Sequence, residues 1–253
     1  MSFNIRFDTP ADDRTKNRWK HRAQSVIETV QRFSPHVVGF QEALRPQLED
    51  LIAAFPEYRV VGKAREAGEV GEYVPVFLHE QWLEAEDSGD FWLSPTPETE
   101  GSTGWDAGNP RHCTWVKVRD RVRDSTFAVF NTHLDRWGVL ARLEAARLIV
   151  ARIAVAPDLP SVVLGDFNAE EDSDALGTFL EAGFRDTFRE IHPNAVDVQT
   201  VHHYADFKGT RKIDYILCDR RWAVTAADIV RAPAAKRLPS DHFPIVAELL
   251  PPP

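Results

Sequence analysis

The chain has 253 residues, 43% hydrophobic and 27% charged, a balance that suits a large globular unit and excludes a disordered or fibrous chain. Its 39 acidic and 30 basic residues leave a formal charge of −9, which argues against a surface built to grip a polyanion backbone. No apolar run approaches the roughly 20 residues that cross a bilayer, and a cytoplasmic location is expected. The two cysteines, Cys113 and Cys218, stand in apolar runs without a CxxC or Cys/His cluster, so buried thiols are expected rather than a disulfide or a zinc site.

Taken in chain order, Ala23, Val26, Val30 and Phe33 recur at helical spacing, and Pro35 stops that helix. The run 37–40 is short, apolar and β-branched and predicts a buried strand. A second helix carries Leu48, Leu51, Ile52 and Phe55 on one face, with Pro56 just beyond, and a strand follows at 58–61. The middle changes character: 73–78, 91–93, 113–118 and 126–131 are strand-like with no helix between them, and the polar stretch 119–124 predicts a hairpin. A third helix bears Leu143, Ala146, Val150 and Ile153, and 161–164 is the next buried strand. Ser173 is placed to cap a short helix with Leu176, Phe179 and Leu180. Strands at 213–218, 223–230 and 243–249 close the chain. The irregular stretches 62–72 and 94–110 are long for loops, and such loops often carry function. With no repeat, low-complexity tract or linker, residues 1–253 read as one α/β domain, with two sheets face to face and helices outside.

Polar residues recur directly beside the apolar strand runs: Asn4, Gln41-Glu42, Asn131-Thr132-His133, Asp166-Phe167-Asn168 and Asp241-His242. Strand ends in α/β proteins converge at one edge, where ligand sites form. Each of these residues alone would also serve as a cap or turn. Together they match what phosphoester hydrolysis needs. A carboxylate and an amide suit Mg²⁺, which prefers oxygen ligands and keeps several waters. An Asp or His orients and deprotonates the attacking water, and Asn and His donors meet the charge that builds on the phosphoryl oxygens. Neither a serine nucleophile elbow nor a GxxxxGK[ST] loop is present to support acyl-enzyme or Walker-type chemistry.

The segments SFNIR, GFQEAL, NTHLD, LGDFNA, KGTRKIDYIL and SDHFPIV, in this order from residue 2 to about 246, resemble the motifs of the endonuclease/exonuclease/phosphatase superfamily. The resemblance implies a four-layer α/β sandwich, two mixed β-sheets packed face to face with helices outside. It also implies metal-dependent hydrolysis of a phosphoester, with Mg²⁺ or Mn²⁺ as cofactor. Position by position, Asn4 and Glu42 resemble metal ligands, and His133 resembles the histidine that contacts the scissile phosphate. Asp166 resembles the carboxylate that positions or deprotonates the water, with Asn168 its supporting amide. His242 resembles the catalytic histidine, Asp214 the carboxylate that holds it, and Asp241 a second metal contact. Arg111 and Tyr73 resemble positions that line the cleft and bind substrate. The chain begins one residue before SFN, which implies either a misassigned start or a strand abbreviated at a sheet edge, where Asn4 would be held loosely.

Three functions share this core or this fold. The acidic balance favours a phosphodiester or phosphomonoester of a small, sugar-like or lipid-headgroup alcohol over a DNA or RNA substrate. A scaffold that kept the fold and lost catalysis would have damaged motifs, and every matched position is intact. His112, His202 and His203 are expected on the surface or in loops, with no role. Trp19, Trp92, Trp105 and Trp137 could stack on a sugar or base, although packing is the commoner use of tryptophan.

Overall fold

The structure, a computed structural model, describes residues 1–205, 207, 209–231 and 237–251. Lys208, the first residue of KGTRKIDYIL, lies outside the described residues. The chain opens with β1 (Ser2–Asn4), α1 (Trp19–Phe33), β2 (Val37–Gln41), α2 (Arg45–Ala54) and β3 (Tyr58–Val61). It continues through β4 (Ala64–Glu66), β5 (Val70–Tyr73), β6 (Val76–His79), β7 (Leu83–Trp92), β8 (His112–Asp120) and β9 (Ser125–His133). The remainder comprises α3 (Val139–Ile153), β10 (Ser161–Asp166), α4 (Asp174–Glu181), β11 (Arg185–Asp186), α5 (Thr187–Ile191), β12 (Asp214–Cys218), β13 (Ala223–Ile229) and β14 (Ile245–Leu250).

Local signals set several of these limits. The helix α1 ends at Ser34, whose left-handed backbone returns its N–H to Val30 one residue before Pro35. Ser173 caps α4 by accepting from the Leu176 N–H at 3.3 Å. Two six-stranded mixed sheets result, in the orders β13-β14-β1-β2-β6-β3 and β11-β12-β10-β9-β8-β7. The pairs β1–β2 and β9–β10 are parallel.

Three apolar layers hold the sandwich together. Val129, Val162, Leu164 and Ile216 of the second sheet meet Val76, Leu78 and Ile245 of the first, filling the space between the sheets. Phe3, Val38 and Phe40 turn the other way, against Val26, Val30 and Leu51 of α1 and α2. On the opposite outer face, Phe130, Val163 and Leu217 pack with Ala145, Ile149, Leu176 and Phe179 of α3 and α4. Strands buried on both faces therefore read as continuous apolar runs. Gly39 marks the closest approach of the sheets, since an added Cβ would come within 2.0 Å of Leu164. Beside it, Asn131 crosses the interface, donating to the Phe40 and Pro75 carbonyls and accepting from Gln41.

Some expectations are corrected. The strand β1 is central, between β14 and β2, and Asn4 is 1% exposed, because its neighbours supply pairing that a three-residue edge strand would lack. The 62–72 stretch contains the β4–β5 hairpin, and 73–78 is broken at Val74-Pro75. The strand β7 is far longer than 91–93, because its polar outer residues conceal it. Ile52 and Leu180 are exposed, and Ala141, Ala145, Ala146 and Ile149, rather than Leu143, form the buried side of α3, with Val150 and Ile153 partly buried against the same core. Both cysteines are free and buried, and among the described residues no helix is long and apolar enough to cross a membrane.

Candidate active site

Register puts the chemistry in one row. In the second sheet His133 of β9 pairs with Asp166 of β10, and Asp166 with Asp214 of β12. Residues in register across neighbouring strands present their side chains on the same face, so the three stand side by side. Gly165 permits this approach, for a Cβ there would lie 1.9 Å from the Thr132 carbonyl oxygen. From the first sheet, Asn4 ends β1 and Glu42 follows β2, where its backbone adopts a left-handed φ of 63°. Such a conformation costs a non-glycine residue about 1–2 kcal/mol and marks a position held by its surroundings. His242 arrives beside Asp214 through an isolated bridge to Val201. All border one open cleft of about 1280 Å³ or lie directly beneath it.

The hydrogen-bond network assigns protons. Asn168, itself at φ 47°, donates from its amide nitrogen both to the Leu134 carbonyl and to His133 Nε2, at 3.1 and 3.0 Å. His133 therefore accepts at Nε2 and carries its proton on Nδ1. Burial and the nearby Arg111 and His242 charges hold His133 well below its ordinary pKa, in the neutral form. Its Nδ1 is buried without a hydrogen-bond partner, 3.7 Å from a Glu72 oxygen.

His242 is the opposite case. Its Nδ1 lies 2.9 Å from Asp214 Oδ2, and its Nε2 lies 3.9 Å from Asp166. Burial disfavours the imidazolium, but the charge and hydrogen bond of Asp214, helped by Asp166 and Asp241, outweigh it and raise the pKa to about 10. Asp166 is pushed up to about 7 by burial and the Asp214 charge, against the opposing pull of His242 and of the Asn168 and Asn4 donors. Two neighbouring groups thus have their proton affinities moved by different environments, a common feature of acid–base sites.

Carboxylates crowd the other side. Oxygens of Glu42 and Asp166 and a ring nitrogen of His133 lie within 4.8 Å of one another, as do ligand atoms of Asp166, Asp214 and His242. The Asn4 amide nitrogen bridges Glu42 and Asp166 at 3.0 and 2.9 Å, while its oxygen accepts from the Arg6 N–H. Asn4 would have to turn its amide over to offer oxygen to a cation. Asp241 stands apart from both groups, paired with Arg6 Nη1 at 2.7 Å. Burial would raise the Asp241 carboxyl, but His203, His242 and Arg6 hold it far below the usual range.

The loops add residues that sequence patterning missed. Glu72, from the β4–β5 hairpin, binds Arg65 at 2.9 Å and lies 3.6 Å from Arg111. Burial and the Glu42 charge raise the Glu72 carboxyl despite those arginines. Arg111 lines the cleft, whereas Tyr73 does not. The Tyr73 ring belongs to the apolar cluster around Phe3 and Phe40, and strand alternation turns the adjacent Glu72 inward instead. His112 and His202, expected at the surface, are buried, the first stacked on Trp92 and the second against Phe243. His203 is exposed and borders the cleft. Trp19 and Trp92 are packed inside, but Trp137 is 70% exposed at the cleft. Only the EY dipeptide and the D-R-W sequence after NTHL hinted at these loop residues.

Comparison with known proteins agrees with this geometry. The endonuclease/exonuclease/phosphatase family pattern matches residues 1–242. A family protein from Bacteroides vulgatus is 35% identical and superposes with a TM-score of 0.90, covering 99% of this chain and 97% of that one. A mannosyl-6-phosphatase from Bacteroides thetaiotaomicron is 28% identical with a TM-score of 0.89, covering 98% of each chain. D. rerio TDP2, solved with a single-strand DNA product, is 16% identical with a TM-score of 0.77, covering 98% of this chain and 97% of that one, a likeness of fold alone. No curated protein sequence matches. With the family pattern running through every strand that carries the row, the chain belongs to the endonuclease/exonuclease/phosphatase family.

Proposed function

We propose that this protein is a divalent-metal-dependent phosphoesterase that hydrolyses a phosphomonoester or phosphodiester of a small, sugar-like or lipid-headgroup alcohol. The observation that carries the reading is the buried Asp214–His242–Asp166 chain at the floor of a cleft whose opposite wall bears Glu42. The donor set suits a hard cation. Glu42 and Asp166 face each other across the Asn4 amide, and Glu72 has its proton affinity raised in part by the Glu42 charge. Glu42 and Asp166 would hold Mg²⁺ or Mn²⁺, with Asn4 joining them after a turn of its amide. Bound there, the ion would neutralise phosphoryl charge and acidify water.

The residues of the chain do the rest. Asp166, on the floor between His133 and Asp214, accepts the proton of the attacking water. His133 donates from Nδ1 to a phosphoryl oxygen, with Asn168 fixing the tautomer that leaves this proton available. His242, kept protonated by Asp214, donates from Nε2 as negative charge accumulates and so cannot also serve as the base. Asp241 keeps Arg6 in place beside this group. The 28% identity to a mannosyl-6-phosphatase supports the sugar side of the substrate range.

The test is a hydrolysis screen with Mg²⁺ and Mn²⁺ over hexose phosphates, glycerol phosphate, bis-p-nitrophenyl phosphate and single- and double-stranded nucleic acids, with H242A as control. Metal-dependent release from small phosphoesters, lost in the variant, is expected. Turnover of nucleic acids alone, or activity that survives excess chelator, would overturn the reading.

A further inference from the structure

At the cleft rim, Trp137 exposes 70% of its surface although the protein packs Trp19, Trp92 and Trp222 inside. An exposed indole on a loose loop would mean little, but the backbone that carries this one is anchored. The buried Asp135 carboxylate accepts from the N–H groups of Trp137 and Gly138 at 2.9 and 2.8 Å with one oxygen, and from Gly108 at 3.1 Å with the other. Asp106 completes the anchor by accepting the Ala141 N–H at the start of α3. Gly108 lies against the edge of the indole, since a Cβ there would come within 3.3 Å of Cδ1. The Arg136 guanidinium lies over one face of the ring, 4.8 Å from its centroid, and borders the same cleft. Asn109, next to Gly108 in the chain, also lines the cleft.

A solvent-facing aromatic plane on an anchored backbone, with hydrogen-bonding groups beside it, recognises a ring that has both an apolar face and polar edges. We infer that Trp137 is the platform of a sugar subsite, in which the C–H face of a pyranose stacks on the indole face that Arg136 leaves uncovered while polar groups of the cleft, Asn109 among them, meet its hydroxyl groups. The phosphoryl group of the same molecule then reaches the floor. This deepens the proposed function by naming the alcohol half of the substrate, and it rests on that reading. A nucleobase could also stack on the indole. The −9 charge and the carboxylate partners already held by Arg65 and Arg111 favour the uncharged ring of a small sugar over a base carried on a polynucleotide.

The experiment compares wild type, W137A and W137F on a hexose 6-phosphate, glycerol phosphate and a nucleoside 5′-monophosphate. The kcat/KM ratio of hexose phosphate to glycerol phosphate should fall about 10-fold in W137A, through KM, and largely recover in W137F. An unphosphorylated hexose should change the intrinsic fluorescence of wild type and not of W137A. An unaltered ratio in W137A would overturn the subsite, and a loss confined to the nucleotide would replace the sugar with a base. If wild type cleaves no phosphoester yet shows the Trp137-dependent hexose signal, the proposed function fails while the subsite stands. If it cleaves hexose phosphate with an unaltered ratio in W137A, only the subsite fails.

Discussion

The floor and the rim of the cleft are built by different means. His133, Asp166 and Asp214 come from paired strands in strict register, are nearly inaccessible, and are held by one another and by Asn168, Asn4 and His242. Arg65, Glu72, Asn109, Arg136 and Trp137 come from a small hairpin and from connecting segments. At the rim Arg65 Nε and Arg111 Nε, and at the floor His133 Nδ1, are buried without a hydrogen-bond partner. A buried donor without a partner costs free energy unless something from outside meets it. The contrast suggests that sheet geometry fixes the chemistry and the rim is shaped for what it receives. Each experiment below tries to separate the two regions or to find them coupled.

The largest effect should come from the floor. Asp214→Asn and His242→Ala should each lower kcat by about 10²-fold or more, and the double variant should lose little beyond the worse single one. Fully multiplicative losses would show the two acting independently. The same pair gives a pH signature. A histidine raised to about 10 favours the folded state at pH below its ordinary value of about 6.5, and that contribution disappears as pH rises through 10. Wild-type kcat should therefore hold through pH 8 to 9, whereas in Asp214→Asn any residual activity should fall off nearer pH 7. A basic limb at the same pH in both proteins would sink the assignment.

Next in size is the metal. Glu42→Gln should raise the Mg²⁺ or Mn²⁺ concentration for half-maximal activity by roughly 10-fold or more. Because a cation competes with protons for carboxylates, it should raise the Tm of wild type more at pH 8 than at pH 5.5. Glu42→Gln should show a smaller rise at both. A variant with unchanged metal dependence would move the ion away from this wall of the floor.

The difference between floor and rim also decides what the sequence could say. The floor was legible because each residue abuts an apolar run, as Asp166 follows Val162, Val163 and Leu164, and because burial on both faces makes such runs continuous. Helix α1 was legible for a different reason, its apolar residues recurring at helical spacing. Register was not legible. That His133, Asp166 and Asp214 share a row depends on pairings between strands far apart in sequence. The rim is less legible because Glu72 has no periodic signature, Trp137 can be marked in the sequence only as one of four tryptophans able to stack, and the resemblance points to Tyr73 in place of its neighbour, one step along a strand reversing the face. The polar residues of β7 concealed a ten-residue strand in the same way.

Smaller effects are expected from the rim. Arg136→Ala removes an exposed guanidinium whose contact is the Trp137 face. Its stability should stay within about 0.5 kcal/mol of wild type in a denaturant titration. Asp135→Asn should cost more, about 1–3 kcal/mol, because a buried carboxylate accepting three backbone N–H groups is weakened. If Arg136→Ala destabilised the chain as much as Asp135→Asn, the rim would be part of the framework and the division proposed above would fail.

The smallest effect concerns nucleic acid, and it should be close to none. A bound strand releases counterions in proportion to the phosphates neutralised, with a slope of log K on log salt of about −0.7 per phosphate for single strands. Few arginines of the cleft are available for that. Arg6 is engaged by Asp12 and Asp241, Arg65 by Glu72, and Arg211 lies 3.5 Å from Glu170. Arg111 stands between Glu72 and Asp135, each 3.6 Å away. Among the described residues Arg136 and Arg237 remain, Arg237 giving one donor to the Lys16 carbonyl. Two such groups would give a slope near −1.4, and the −9 charge of the chain would repel the rest of the strand. Fluorescence anisotropy of a labelled 20-nucleotide DNA between 50 and 200 mM salt should show weak binding with a slope no steeper than about −2. Tight binding with a slope of about −4 would mean that arginines now paired with carboxylates let go of them to meet a strand. The rim would then be a nucleic-acid track, and the nuclease reading would take first place.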